Sequence, residues 1–122
     1  MATAKSIQEI ADKYHYWDAP VIQLDCDNFA DEIVMAYDDE DSYKVVYNFV
    51  GCYKSVFDHA KNLDKLRPVK EMTIGQIPYF LHDIEISETM EENTEFYVCK
   101  IDMSPLDIEI WCKDIVIERQ QK

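Results

Sequence analysis

In LDIEIWC, residues 106–112, every second side chain is apolar. Leu106, Ile108, Ile110 and Cys112 alternate with Asp107, Glu109 and Trp111. A period of two belongs to an extended strand with one dry face and one wet face. The same period recurs in VIQLDCD, where Ile22, Leu24 and Cys26 point one way and Gln23, Asp25 and Asp27 the other. EIVMAY sets Ile33, Met35 and Tyr37 on one side. YKVVYNFV sets Tyr43, Val45, Tyr47 and Phe49 against Lys44, Val46 and Asn48. One-sided strands with short connections make an antiparallel sheet whose second face meets water.

The connections fit that reading. DNFAD turns the chain between the first two strands, and DDEDS, with Asp38, Asp39, Glu40 and Asp41 in a row, makes a solvated hairpin loop. The first three strands are therefore expected to form a meander. EFYVCKIDM and LDIEIWCKDIVIE form a last hairpin around Ser104–Pro105. Two breaks in parity stand out. In IPYFLHDIEIS, Ile77, Tyr79 and Leu81 give way to Ile84 and Ile86 near His82. After Cys112 the apolar positions move to Ile115 and Ile117. Each break predicts a bulge, the second at Lys113–Asp114, and bulges curl a sheet.

Two segments carry helical spacing. Ile7, Ile10, Ala11 and Tyr14 predict a helix over residues 4–14, followed by YHYWDAP, an aromatic hinge in which Trp17 closes the core and His15 and Asp18 cap or link local backbone. Ser55 and Asp58 resemble a capping box, and Phe57, Ala60, Leu63 and Leu66 then fit a short helix stopped before Pro68. The competing reading carries the third strand past Gly51 to Phe57. A strand to about Tyr53 and then a helix is preferred. The expected fold is one α+β domain spanning residues 1–122. It has a bulged, curled antiparallel sheet of about six or seven strands, an N-terminal helix and a possible second short helix.

Charge narrows the partners. Twenty-five acids face twelve Lys and Arg, a formal charge of −13. Direct nucleic-acid binding needs a basic footprint, and this balance opposes one. Neither Lys nor Arg occurs from Tyr14 to Tyr43, a window holding Asp18, Asp25, Asp27, Asp31, Glu32, Asp38, Asp39, Glu40 and Asp41. A second such window runs from Glu71 to Cys99. Between them lies a basic island of Lys54, Lys61, Lys65, Arg67 and Lys70. No apolar run is long enough to span a membrane, and no apolar leader opens the chain, so a cytoplasmic protein is expected.

Motifs for catalysis or cofactors are missing from the sequence. Two glycines, Gly51 and Gly75, cannot build a phosphate-cradling loop. His15, His59 and His82 lack zinc-ligand spacing, and neither DCDN nor DDEDS completes a calcium loop. There is no G-x-S-x-G, and Cys52 with His59 is the nearest approach to a nucleophile and base. Cys26, Cys52, Cys99 and Cys112 read as reduced thiols used as small hydrophobes, with Cys99 and Cys112 on neighbouring strands. No cofactor, no metal and no enzymatic activity are expected.

The stretches YHYWDAPVIQLD, KVVYNFVGCYKS and LDIEIWCKDIVIER, with their spacing, resemble small acidic immunity proteins of bacterial polymorphic and contact-dependent toxin systems. That resemblance implies inhibition of a cognate toxin by covering its active site or an adjacent surface. A charge of −13 fits a basic toxin domain as protein partner. The residues expected to meet it are Trp17, Asp18, Asp25, Asp27, Asp38, Asp39, Glu40 and Asp41. Two other readings remain open: a small-molecule binding module, since a curled sheet rich in tyrosine can enclose a pocket, and an adaptor whose sheet edge pairs with another chain.

Overall fold

The computed structural model of the chain describes residues 3–40, 42–59, 79–104 and 106–122. Helix α1 (Ala4–Lys13) precedes six strands: β1 (Val21–Asp27), β2 (Glu32–Asp38), β3 (Tyr43–His59), β4 (Asp83–Glu91), β5 (Thr94–Met103) and β6 (Leu106–Gln121). They form one antiparallel sheet in the order β1-β2-β3-β6-β5-β4. The expected α+β class, the opening meander and the last hairpin are all present.

The β3–β6 ladder is the spine. It runs from Tyr43 opposite Gln121 to His59 opposite Leu106. Midway, both strands change parity together. Phe49 and Cys52 both turn inward, as do their partners Ile115 and Cys112. Gly51 makes this possible, with φ +65, and an added Cβ would meet the Lys113 side chain at 2.9 Å. The flip expected at Lys113–Asp114 is there in β6. Pairing stays in register across Gly51, and the slip in the ladder falls just beyond it, between Cys52 and Lys54 of β3.

The break divides the sheet into two halves. The first contains β1, β2, residues 43–50 and residues 114–121. The second contains residues 52–59, residues 106–112, β5 and β4. Their inner faces share one core, with Tyr37, Tyr47 and Phe49 from the first and Ile84, Ile101 and Ile110 from the second. At one end the outermost strands are tied together. Pro20 bridges Phe80, Leu81 N–H donates to Ala19 O at 2.9 Å, and Val21 N–H donates to Tyr79 O at 2.9 Å.

These contacts correct several expectations. The parity change near His82 is a change of partner rather than a bulge. Residues 79–81 pair with the segment before β1, while β4 begins at Asp83 and keeps an unbroken register with β5. Residues 55–59 are strand, where a helix was preferred, because each has a partner on β6. Residues 60–66 of that proposed helix, and Ile77 of the extended segment, lie outside the described residues. A register shift between Val21 and Gln23 buries Val21, and of Ile22, Leu24 and Cys26, expected together on the dry side, Leu24 alone packs on the core while Ile22 and Cys26 are exposed.

Helix α1 starts at a reciprocal cap between Thr3 and Ser6. It buries Ala4, Ile7 and Ala11, while Ile10 faces solvent. Its Gln8 does the work of a neighbouring strand. The carboxamide donates from Nε2 to Ile84 O at 2.9 Å and accepts at Oε1 from Ile86 N–H at 2.7 Å. Two free backbone groups on the outer edge of β4 are thereby satisfied.

The two buried tyrosines of the first half differ in one respect. Tyr37 donates its hydroxyl to Tyr14 O at 3.1 Å, whereas the equally buried Tyr47 hydroxyl has no hydrogen-bond partner among the described residues. An unsatisfied buried polar group costs about 1–3 kcal/mol. Tyr47→Phe is therefore expected to leave stability unchanged or raise it in urea unfolding, and Tyr37→Phe to lower it by about 1 kcal/mol. Equal losses from both would show that the Tyr47 hydroxyl has a partner.

Candidate partner-binding surface

The residues expected to meet a partner fall in separate places. Tyr16, not Trp17, is the ring of the hinge that closes the core. Tyr16 is buried and Trp17 is 61% exposed, packed edge-on to His15 and Tyr16. The reason lies next door. Asp18 takes φ +61 and gives its N–H to Leu81 O at 2.8 Å, which turns the chain and leaves Trp17 outside.

Asp38 ends β2 and Asp39 and Glu40 follow it, close to this hinge, where Asp38 N–H donates to Pro20 O. Two of these acids are already neutralised within the chain. Asp38 pairs with Lys122, and Asp39 accepts from Arg119 Nε at 2.7 Å. The Arg119 hydrogen bond holds the Asp39 carboxyl below the usual carboxylate range. Asp25 and Asp27 stand on the outer side of β1. Asp27 is at its far end opposite Glu32, about 20 Å from the Asp38 end at ~3.3 Å per residue. Asp41 lies outside the described residues.

A second acidic group, not anticipated from sequence, is assembled by the second half of the sheet. Asp58 lies opposite Asp107, Asp107 opposite Asp102, and Asp102 opposite Asp83. Four aspartates from four strands thus form one transverse row on the outer face, about 15 Å long at ~4.8 Å between strands. None belongs to an ion pair among the described residues. Like charges directly opposite one another destabilise a sheet. The next row is Val56, Glu109, Lys100 and Glu85, with Lys100 between two glutamates. The two rows flank a shallow groove of about 350 Å³.

Beyond the groove the same face turns aromatic. Tyr53, more than half exposed, stacks on Phe96 at 4.8 Å and lies 6.4 Å from Trp111. Trp111 Nε1 donates to Glu109 at 2.9 Å, which fixes the indole. Lys54 sits 5.0 Å from the Trp111 ring centre and Lys113 5.4 Å from that of Phe96. One part of the row was within reach of the sequence. The hairpin expected around Ser104–Pro105 already sets Asp102 against Asp107. The outer two members needed the pairing of β4 and the far end of β3.

The described residues thus make a small α+β protein, an antiparallel sheet with a helix on its inner side and an outer face carrying a row of aspartates beside a ring cluster. The family model for Immunity protein PIM7 matches residues 3–119, and the chain belongs to that family. Its role is accordingly of the immunity type, and the partner of such a protein is a toxin protein. No curated protein matches the chain.

The remaining chemistry of the described residues is quiet. They hold no group of three His, Cys, Asp or Glu side chains able to bind a metal ion, and no helix long and apolar enough to cross a membrane. The four thiols are free. Cys112 lies directly opposite Cys52, whereas Cys99 pairs with Ile110 and is out of step with Cys112. Burial pushes the Cys52 thiol up to about 11 and Cys112 to about 12, and raises Cys99 as well. Thiolate is the reactive form, so these three are slow nucleophiles at neutral pH. At pH 8 a thiol-reactive disulfide reagent is expected to label one group quickly in native protein, the exposed Cys26, and four after denaturation. Rapid labelling of two or more in the native state would contradict the burial of the rest.

Proposed function

We propose that the protein binds and neutralises a basic toxin domain in the cytoplasm, as a stoichiometric inhibitor without catalysis of its own. The observation that carries this reading is the family match over residues 3–119. The charge supplies the partner's chemistry. At −13, the chain surrounds itself with a negative field that draws in a positive protein and repels nucleic acid. Asp18, Asp25, Asp27 and Glu40 are exposed and add to that field, and Asp38 and Asp39 add less because Lys122 and Arg119 offset them. Such charges act chiefly on the rate of encounter, and affinity comes from a few desolvated anchors.

The test is expression of the protein encoded immediately upstream, alone and together with this chain. Growth arrest by the upstream protein, relieved by co-expression, is the expected result. The purified pair should associate with a rate that falls steeply between about 50 and 200 mM salt, as the screening length shortens. Undiminished arrest, or association indifferent to salt, would contradict the proposal.

A further inference from the structure

The outer face of the second half is a sheet surface on which no other described element packs, since α1 lies on the inner side. It is polarised along the strands. Asp58, Asp107, Asp102 and Asp83 lie at one end, and Tyr53, Phe96 and Trp111 lie four to six residues along their strands, flanked by Lys54 and Lys113. Val56, exposed beside the groove, joins the two ends.

We propose that this face is the docking surface for the toxin, and that it takes a segment bearing lysine or arginine. The inference rests on the toxin-binding reading above and gives it a location. Charge complementarity identifies the occupant. The aspartate row is a run of like charges that the folded chain leaves uncompensated among its described residues, and a cationic segment laid along it removes the repulsion. Tyr53, Val56 and the half-buried Trp111 provide the apolar area that the segment's aliphatic stems cover, with the buried Phe96 as the floor under Tyr53. Lys54 and Lys113 exclude a partner basic along its whole length, so the cations must sit at the aspartate end, which fixes the orientation. The acids of the first half are spread between β1 and the β2–β3 loop, and where Trp17, His15 and Tyr16 stand near them, Lys122 and Arg119 already offset Asp38 and Asp39.

The experiment measures association of the upstream-encoded protein with four forms of the chain. These are wild type, the triple variant Asp58→Asn/Asp83→Asn/Asp107→Asn, the single variant Val56→Lys, and a control of equal charge change, Glu9→Gln/Asp12→Asn/Glu118→Gln. The control residues are exposed and off the docking face. The aspartate triple variant should melt no lower than wild type, because it removes repulsion, yet bind at least tenfold more weakly. Val56→Lys should also lose at least tenfold, and it supplies the answer if the triple variant does not fold. The control should lose less than threefold. Wild-type binding with equal losses in the triple variant and the control, or with Val56→Lys unaffected, overturns the docking surface and leaves the immunity reading standing. No binding by wild type overturns both.

Discussion

A six-stranded sheet has two faces, and one helix of ten residues cannot cover either of them. The fold resolves this by bending the sheet onto itself. At Gly51 the β3–β6 spine shifts by half a pleat, so the inner residues of both halves stay inside on either side of the break. The halves then bury each other, and α1 fills what remains with Ala4, Ile7 and Ala11. The tie between Pro20 and Phe80 and the Gln8 carboxamide on β4 both depend on that closure. A bulky residue at position 51 would have to displace Lys113 and adopt a conformation that L side chains rarely take.

The same solution leaves the outer faces to solvent, and there the sequence is free to serve a partner. In the first half the outer positions mix small apolar residues with acids, and the acids nearest the hinge are offset by Lys122 and Arg119. In the second half the acids are stacked in one row with no ion pair among the described residues, beside the exposed ring of Tyr53. Local agreement between sequence and fold holds across the inner face and lapses on this outer one. Lapses of that kind are expected where function is served.

Much of the fold was legible because alternation is a local signal. Each of the six strands could be found from its own residues, and so could α1 and the flip after Cys112. What failed was whatever depended on a distant partner. Residues 55–59 carry a plausible capping pattern, and only their ladder with β6 makes them strand. Tyr79–Leu81 seemed continuous with β4 until their bonds to residues 19–21 were seen. Trp17 was expected inside from its place between helix and strand, but the left-handed turn at Asp18 puts Tyr16 there instead. For the site, the sequence pointed to acids close together along the chain. The aspartate row is close together only in the sheet, with members as far apart as Asp58 and Asp107, so a reading by proximity in sequence passed over it.

The two tryptophans separate the two possible contact surfaces, since Trp17 marks the hinge and Trp111 the outer face of the second half. Single-tryptophan variants, Trp17→Phe and Trp111→Phe, allow each to be watched alone by fluorescence as toxin is added. Burial of Trp111 predicts a blue-shifted emission and weaker quenching by acrylamide in the complex when Trp111 is the remaining indole, with Trp17 little changed in the converse variant. A complex in which Trp17 is shielded and Trp111 stays as accessible as in the free protein would contradict the account.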